Sequence, residues 1–179
     1  MLKLPRLNFL GGVEEVGRSS IFLQSETGEG ILLDSGVSLN HTVRFPAYVP
    51  PKNVIALAIS HCHLDHVGSA PLFFISGNSK AITTSLTKTL SRILLLDMLK
   101  VARTYLPFDT IDIKRFLDCI SVVQNREEIK LGSTEFSVKF FNAGHVVGAS
   151  QILIGVEGTK TLYTGDINMN PTRTVPPAD

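Results

Sequence analysis

Apolar positions in this chain fall into short runs towards both ends and take up a helical period in the middle. Arg18 to Gln24 and Gly30 to Asp34 read as two strands around the polar stretch SETGEG, which has the composition of a hairpin loop. Val54-Ile-Ala-Leu-Ala-Ile59 is apolar at every position and lies between Pro50-Pro51 and a histidine cluster, which suits a strand buried on both faces. The period then changes. Leu86, Leu90, Ile93, Leu94, Met98 and Val101 recur every three to four residues between Thr84 and Tyr105, with Thr84 or Ser85 available as the cap, and this predicts an amphipathic helix. Asp109 to Ile120 is a shorter helical segment. Ser121 to Val123, Glu135 to Asn142, Ala149 to Val156 and Thr161 to Asp166 return to strand character, with VEGTK as a turn between the last two. Strands, helices and strands in that order predict an α/β (α+β) domain, a mixed sheet with helices packed on one face.

Composition narrows the class. A chain of 179 residues is long enough to bury a real core as one domain. Its 17 basic and 16 acidic side chains leave a formal charge of +1, so no global basic field marks it for nucleic acid. The hydrophobic fraction is 44% and the mean hydropathy +0.21, yet no apolar run reaches the ~18 residues of a membrane span. MLKLPRLNFLGG lacks a sustained apolar core and a small-residue cleavage site, so no signal peptide is read, and two cysteines, Cys62 and Cys119, make no disulfide framework. A cytoplasmic location is the expectation.

The chemistry is concentrated at the end of the apolar strand. His61, His63, Asp65 and His66 fall within SHCHLDHVG. In extended backbone alternate side chains share a side, so His61 and His63 can face one metal while Cys62 turns inward as a small buried filler. A turn after Leu64 would carry Asp65 and His66 towards a neighbouring point, making two adjacent metals feasible. Imidazole and carboxylate donors suit zinc, and also manganese or iron. His145 after VKFFNAG and Asp166 after TLYTG each follow a glycine at a strand end and can reach the same crevice. Asp34 in ILLDSG is better placed to accept a hydrogen bond from a ligand imidazole than to bind metal. Taken singly, Asp34 and Asp166 are also ordinary turn formers, and His145 an ordinary loop residue. His41 has no such company and is expected at the surface.

DSG at Asp34, SHCHLDHVG, AGHVVGAS with His145 and YTGD with Asp166 resemble, in this order, the first four signature motifs of the metallo-β-lactamase superfamily. GGVEEVGRSS, APLFF, TKTL and GDINMNPTR resemble its β-CASP branch, which includes the nuclease subunit of the cleavage and polyadenylation specificity factor and archaeal relatives. The resemblance runs from about Leu7 to Arg173. It implies that His61, His63 and His145 bind one metal, that Asp65 and His66 bind a second, and that Asp166 bridges them. It makes Asp65, His66 and Asp166 the catalytic positions and Asp34 the residue that steadies a ligand imidazole. It further implies a two-metal hydrolase, with Zn2+ or Mn2+, that cuts single-stranded RNA in mRNA 3'-end processing or RNA decay; Arg18 and Arg173 are candidate phosphate contacts.

Members of that branch continue past the residue matching Asp166 with the β-CASP insertion and then complete the metal domain. Residues 1–179 are therefore expected to be a partial domain, the N-terminal half of an αββα sandwich, truncated and inactive alone. If each half supplies one sheet, the inner face built from Val54 to Ile59, Phe136 to Phe141 and Gln151 to Val156 lacks its cover and should drive a homo-oligomer. The alternatives are a thioesterase or lactonase of the glyoxalase II type on the same metal motif, and a non-catalytic subunit of a processing complex.

Overall fold

The structure, a computed structural model, describes residues 4–39, 42–75, 80–132 and 134–179. His41 lies outside them. The expected mixed sheet forms, and a second sheet lies beside it. The first runs in the order Arg6–Gly11 (β1), Ser20–Gln24 (β2), Gly30–Leu33 (β3), Val54–Ala58 (β4), Ala81–Thr83 (β5) and Ile120–Val122 (β6). Its first three strands are antiparallel, and β3 to β6 are parallel neighbours. The second sheet is antiparallel throughout and places Thr159–Tyr163 (β10), Ser150–Val156 (β9), Ser137–Asn142 (β8) and Glu128–Lys130 (β7) side by side.

The period of two along β8 and β9 explains how the sheets meet. Val138 and Phe140, with Ile152, Ile154 and Val156, point inward and close on Leu23, Ile31, Leu33, Ala56, Ala58 and Ile82 of the first sheet. The inner face expected to be bare is thus covered within one chain, because both sheets of the sandwich are built before residue 164. The other face of the first sheet, with Leu32, Leu57 and Ile59, packs beneath the helices.

The described residues form three α-helices: Leu64–Val67 (α1), Ser85–Ala102 (α2) and Thr110–Asp118 (α3). Thr84 caps α2, its hydroxyl accepting from the Thr87 N–H at 3.3 Å. The buried face of α2 is Thr87, Ser91, Leu95, Met98 and Leu99, while Leu86, Ile93 and Val101 of the expected stripe are exposed. The helix is apolar on more than one side, so periodicity alone left its rotation undetermined. α3 opens with a capping box in which the Asp109 carboxylate accepts from the Ile111 and Asp112 N–H groups and Asp112 accepts from the Asp109 N–H. It buries Ile113 and Phe116, the latter 5.2 Å from the Phe74 ring. No helix among the described residues is long and apolar enough to cross a membrane.

The parallel pair β3 and β4 ends at one edge of the sandwich, and β8 and β10 run out at the same edge. Asp34, His61, His145 and Asp166 follow those four strands.

Candidate metal centre

Each functional side chain is delivered by a strand end and held by backbone contacts. β3 stops where Asp34 adopts a left-handed φ of +57°, its N–H donating to the Ala58 carbonyl at 3.0 Å. His63 then starts the single turn of α1, accepting from the His66 and Val67 N–H groups on its carbonyl. That turn swings His66 back beside His61, with ring centroids 4.1 Å apart. The β8–β9 loop carries His145 and is held by Thr84 and Thr87 of the α2 N-terminus, both hydroxyls donating to the Gly148 carbonyl at 2.8 Å. Gly165, at φ +53°, lets the segment bearing Asp166 lie against Ser60, where a Cβ would sit 2.9 Å from the serine side chain.

The resulting donor atoms form one compact group, His61, His63, His145 and Asp166, and a looser second one in which His66 faces Asp166 and Asp65. His61 Nε2 lies 3.1 Å from His63 Nδ1, His145 Nε2 lies 3.3 Å from His63 Nδ1, and Asp166 Oδ2 is 3.4 Å from His145 Nε2 and 3.9 Å from His61 Nε2. The other oxygen, Asp166 Oδ1, faces His66 Nε2 at 3.4 Å, and Asp65 Oδ2 is 3.9 Å from the same nitrogen. Four ligands about 2.0–2.2 Å from a tetrahedral zinc stand roughly 3.3–3.6 Å from one another. The separations in the first group, 3.1 to 3.9 Å, bracket that spacing, so its donor set fits a cation.

One buried carboxylate orders both groups. Asp34 is fully buried and accepts at Oδ1 from the Ser60 N–H at 2.7 Å. At Oδ2 it accepts from Ser60 Oγ at 2.6 Å, His66 Nδ1 at 2.7 Å and the Tyr163 hydroxyl at 2.7 Å. Because Ser60 Oγ donates to Asp34, it accepts from His61 Nδ1 at 3.0 Å. Both imidazoles therefore carry their proton on Nδ1 and turn a bare Nε2 towards the crevice. Asp34, His61 and His66 also lie close enough to form a ligand triad. The four hydrogen bonds on Asp34 leave it an orienting group instead.

Protonation follows from these surroundings. Burial, then the neighbouring His66, pushes His61 down to about 4, so its imidazole is neutral near pH 7 and ready as a donor. Burial and the nearby His145 lower His63 in the same sense. For His66 burial acts downward, but the hydrogen bond and charge of Asp34, helped by Asp65 and Asp166, outweigh it and raise the pKa. Burial alone would raise Asp34, yet the His66 hydrogen bond and the His66 and His61 charges hold it below the ordinary carboxylate range. The Tyr163 phenol is raised by burial and by the Asp34 charge. Cys62 is buried with its thiol raised, in keeping with a core filler.

Every residue expected at the site is therefore at this edge: Asp34, His61, His63, Asp65, His66, His145 and Asp166. Ser60 and Tyr163 were not anticipated; the motif-adjacent positions SHCH and LYTGD were their only signal. Arg18 is turned away from the phosphate role, bonded to Glu15 and donating to the Phe45 carbonyl at 3.1 Å. Arg173 is exposed.

An αββ arrangement with histidines and acids gathered beyond the strand ends is a scaffold fit to hold a metal ion. The chain belongs to the metallo-beta-lactamase superfamily, which it matches over residues 13–177, and it falls in the N-terminal region of the β-CASP branch. It is 34% identical over 176 residues to "RNase aCSPSF2" of Saccharolobus solfataricus, covering 97% of this chain and 35% of that protein. It is 37% identical over 177 residues to "Probable RNase MJ4" of Methanocaldococcus jannaschii, covering 96% and 41%. Against "Cleavage and polyadenylation specificity factor subunit 3-I" of Arabidopsis thaliana it is 31% identical over 173 residues, covering 92% and 24%. The chain thus spans between a quarter and two fifths of the length of these relatives. A crystal structure of a protein of unknown function from Enterococcus faecalis shares the fold, with a TM-score of 0.62 at 20% identity over 92% of this chain and 44% of that one.

Proposed function

We propose that this chain is the metal-binding part of a phosphodiester hydrolase that cuts single-stranded RNA. One observation carries the reading: the two oxygens of Asp166 face separate groups, Oδ2 towards His145 and His61 and Oδ1 towards His66. Such an arrangement suits a pair of ions with one carboxylate between them. His61, His63, His145 and Asp166 would hold the first, and Asp65, His66 and Asp166 the second. Zinc fits the imidazole-rich set, and manganese is the alternative. Bound there, such ions would acidify water and stabilise charge on a phosphodiester.

The chain's own residues do the positioning. Asp34 and Ser60 fix which nitrogen His61 and His66 present. The side chain of Asp166 is 45% exposed and that of Asp65 35%, so both face the solvent from which substrate arrives. RNA is supported as substrate by the names of the relatives, which include RNases and a cleavage factor subunit. We place catalysis in an assembly larger than this chain. The chain itself should hold metal firmly at the first position and more weakly at the second.

Elemental analysis of the purified chain should find about one zinc-like ion per chain, lost in His63→Ala. Equal content in both would overturn the metal reading. Within the longer protein, Asp65→Ala should abolish single-strand cleavage while leaving the fold intact. Efficient thioester hydrolysis with RNA left whole would overturn the substrate.

A further inference from the structure

The segment that joins β1 to β2, within GGVEEVGRSS, resembles the β-CASP branch but supplies none of the donors described above. It is folded under constraint. Glu14 and Arg18 hold left-handed φ values of +57° and +45°, which side-chain-bearing residues seldom adopt. Arg18 is fixed by Glu15, which also pairs with Arg44 at 3.1 Å. The outcome of this folding is the placement of the next residue, Ser19. Its N–H donates to the Asp65 carbonyl at 2.8 Å, and its own carbonyl accepts from the Gly36 N–H at 3.0 Å. Gly36 permits that contact, since a Cβ there would fall 1.6 Å from the Asp65 carbonyl oxygen.

So held, the Ser19 hydroxyl lies 3.5 Å from His66 Nε2. This is the nitrogen turned towards the second position, because Nδ1 donates to Asp34. A separation of 3.5 Å is long for a hydrogen bond between the two. It is the spacing of two donors that share one cation, as is the 3.4 Å from the same nitrogen to Asp166 Oδ1, with Asp65 Oδ2 somewhat farther off at 3.9 Å. Without Ser19, the second position has one imidazole and two carboxylates.

We propose that the Ser19 hydroxyl is a fourth protein donor of the second position, supplying a neutral oxygen to the cation held by Asp65, His66 and Asp166. This rests on the two-ion reading above. It gives the strained segment a purpose, because a relaxed backbone at Arg18 would not deliver the hydroxyl to that point.

Cobalt(II) is the probe, since its visible bands report coordination and a thiolate ligand adds a sulfur-to-metal charge-transfer band in the near ultraviolet. Ser19→Cys loaded with cobalt should show that band, and the unaltered chain should not. Cys62 and Cys119 are present in both, so the difference isolates position 19. The band should vanish in Ser19→Cys combined with His66→Ala and survive in Ser19→Cys combined with His63→Ala. In a separate titration, Ser19→Ala should bind the second cobalt equivalent about tenfold more weakly, with the first unchanged. A Ser19→Cys chain with normal visible cobalt bands and no thiolate band overturns the proposal and leaves the metal reading standing. So does a band that follows His63 instead of His66. If the unaltered chain takes up no cobalt, the two-ion reading falls and this proposal falls with it.

Discussion

Asp34 Oδ2 receives three donors, and they differ in what depends on them. His66 and Ser60 lead on to the two imidazoles, whereas the Tyr163 hydroxyl leads nowhere further and serves only to hold the carboxylate. Tyr163→Phe removes one hydrogen bond to a buried charged group and should cost about 2 kcal/mol in chemical denaturation. It should also weaken metal at both positions, because the carboxylate that sets both tautomers gains freedom. A metal affinity equal to that of the unaltered chain would separate Tyr163 from the centre. Much of the centre was legible from residues alone. His61, His63, Asp65 and His66 crowd a few positions behind an apolar strand, and His145 and Asp166 each follow a glycine at a strand end. Ser60 and Tyr163 were not, since a serine and a strand tyrosine are unremarkable until the fold brings Tyr163 to Asp34 across 129 positions.

Among the elements, α2 has a second task besides covering the first sheet. Its N-terminal threonines grip Gly148, and Gly148 belongs to the loop that presents His145. Thr87→Val keeps the shape and removes one of the two grips. It should cost about 1 kcal/mol in stability and at most about fivefold in affinity for the first ion, measured by competition with a chelator. Asp109→Ala is the comparison: it breaks the cap of α3, should cost about 1 kcal/mol as well, and should leave metal affinity alone. The long helix and the hairpins were legible because period and turn residues agree, as in Glu157-Gly158, both at positive φ between β9 and β10. β5 and β7 were not, being three residues each, the latter polar at both ends. The partition into two sheets was equally hidden, since alternation along Ser137 to Asn142 states which side chains face inward and not which strand lies alongside.

Across the whole molecule, the covered inner face changes what is expected in solution. The homo-oligomer expected from the sequence requires that face to be bare, and Phe136, Val138 and Phe140 close it. On the outer side of the second sheet Leu162 is exposed, and cross-strand register pairs it with Leu153. That strip is small against the several hundred Å² that mark an association surface. Light scattering at tens of micromolar should therefore report a monomer, and a stable dimer would point to the outer face of the second sheet. Phe140→Ala, which opens the seam between the sheets, should cost about 3–5 kcal/mol and melt both together. The residues of the centre come from remote stretches of chain, His63 meeting His145 across 82 positions and Asp34 meeting Tyr163 across 129. Contacts of such separation form slowly, because the intervening chain must be closed before they are rewarded. The ion-binding pocket is consequently among the last features to exist during refolding. Zinc present from the start should leave the early rate of collapse unchanged and slow only unfolding, so that capture of the ion serves as a clock for the moment the two sheets dock.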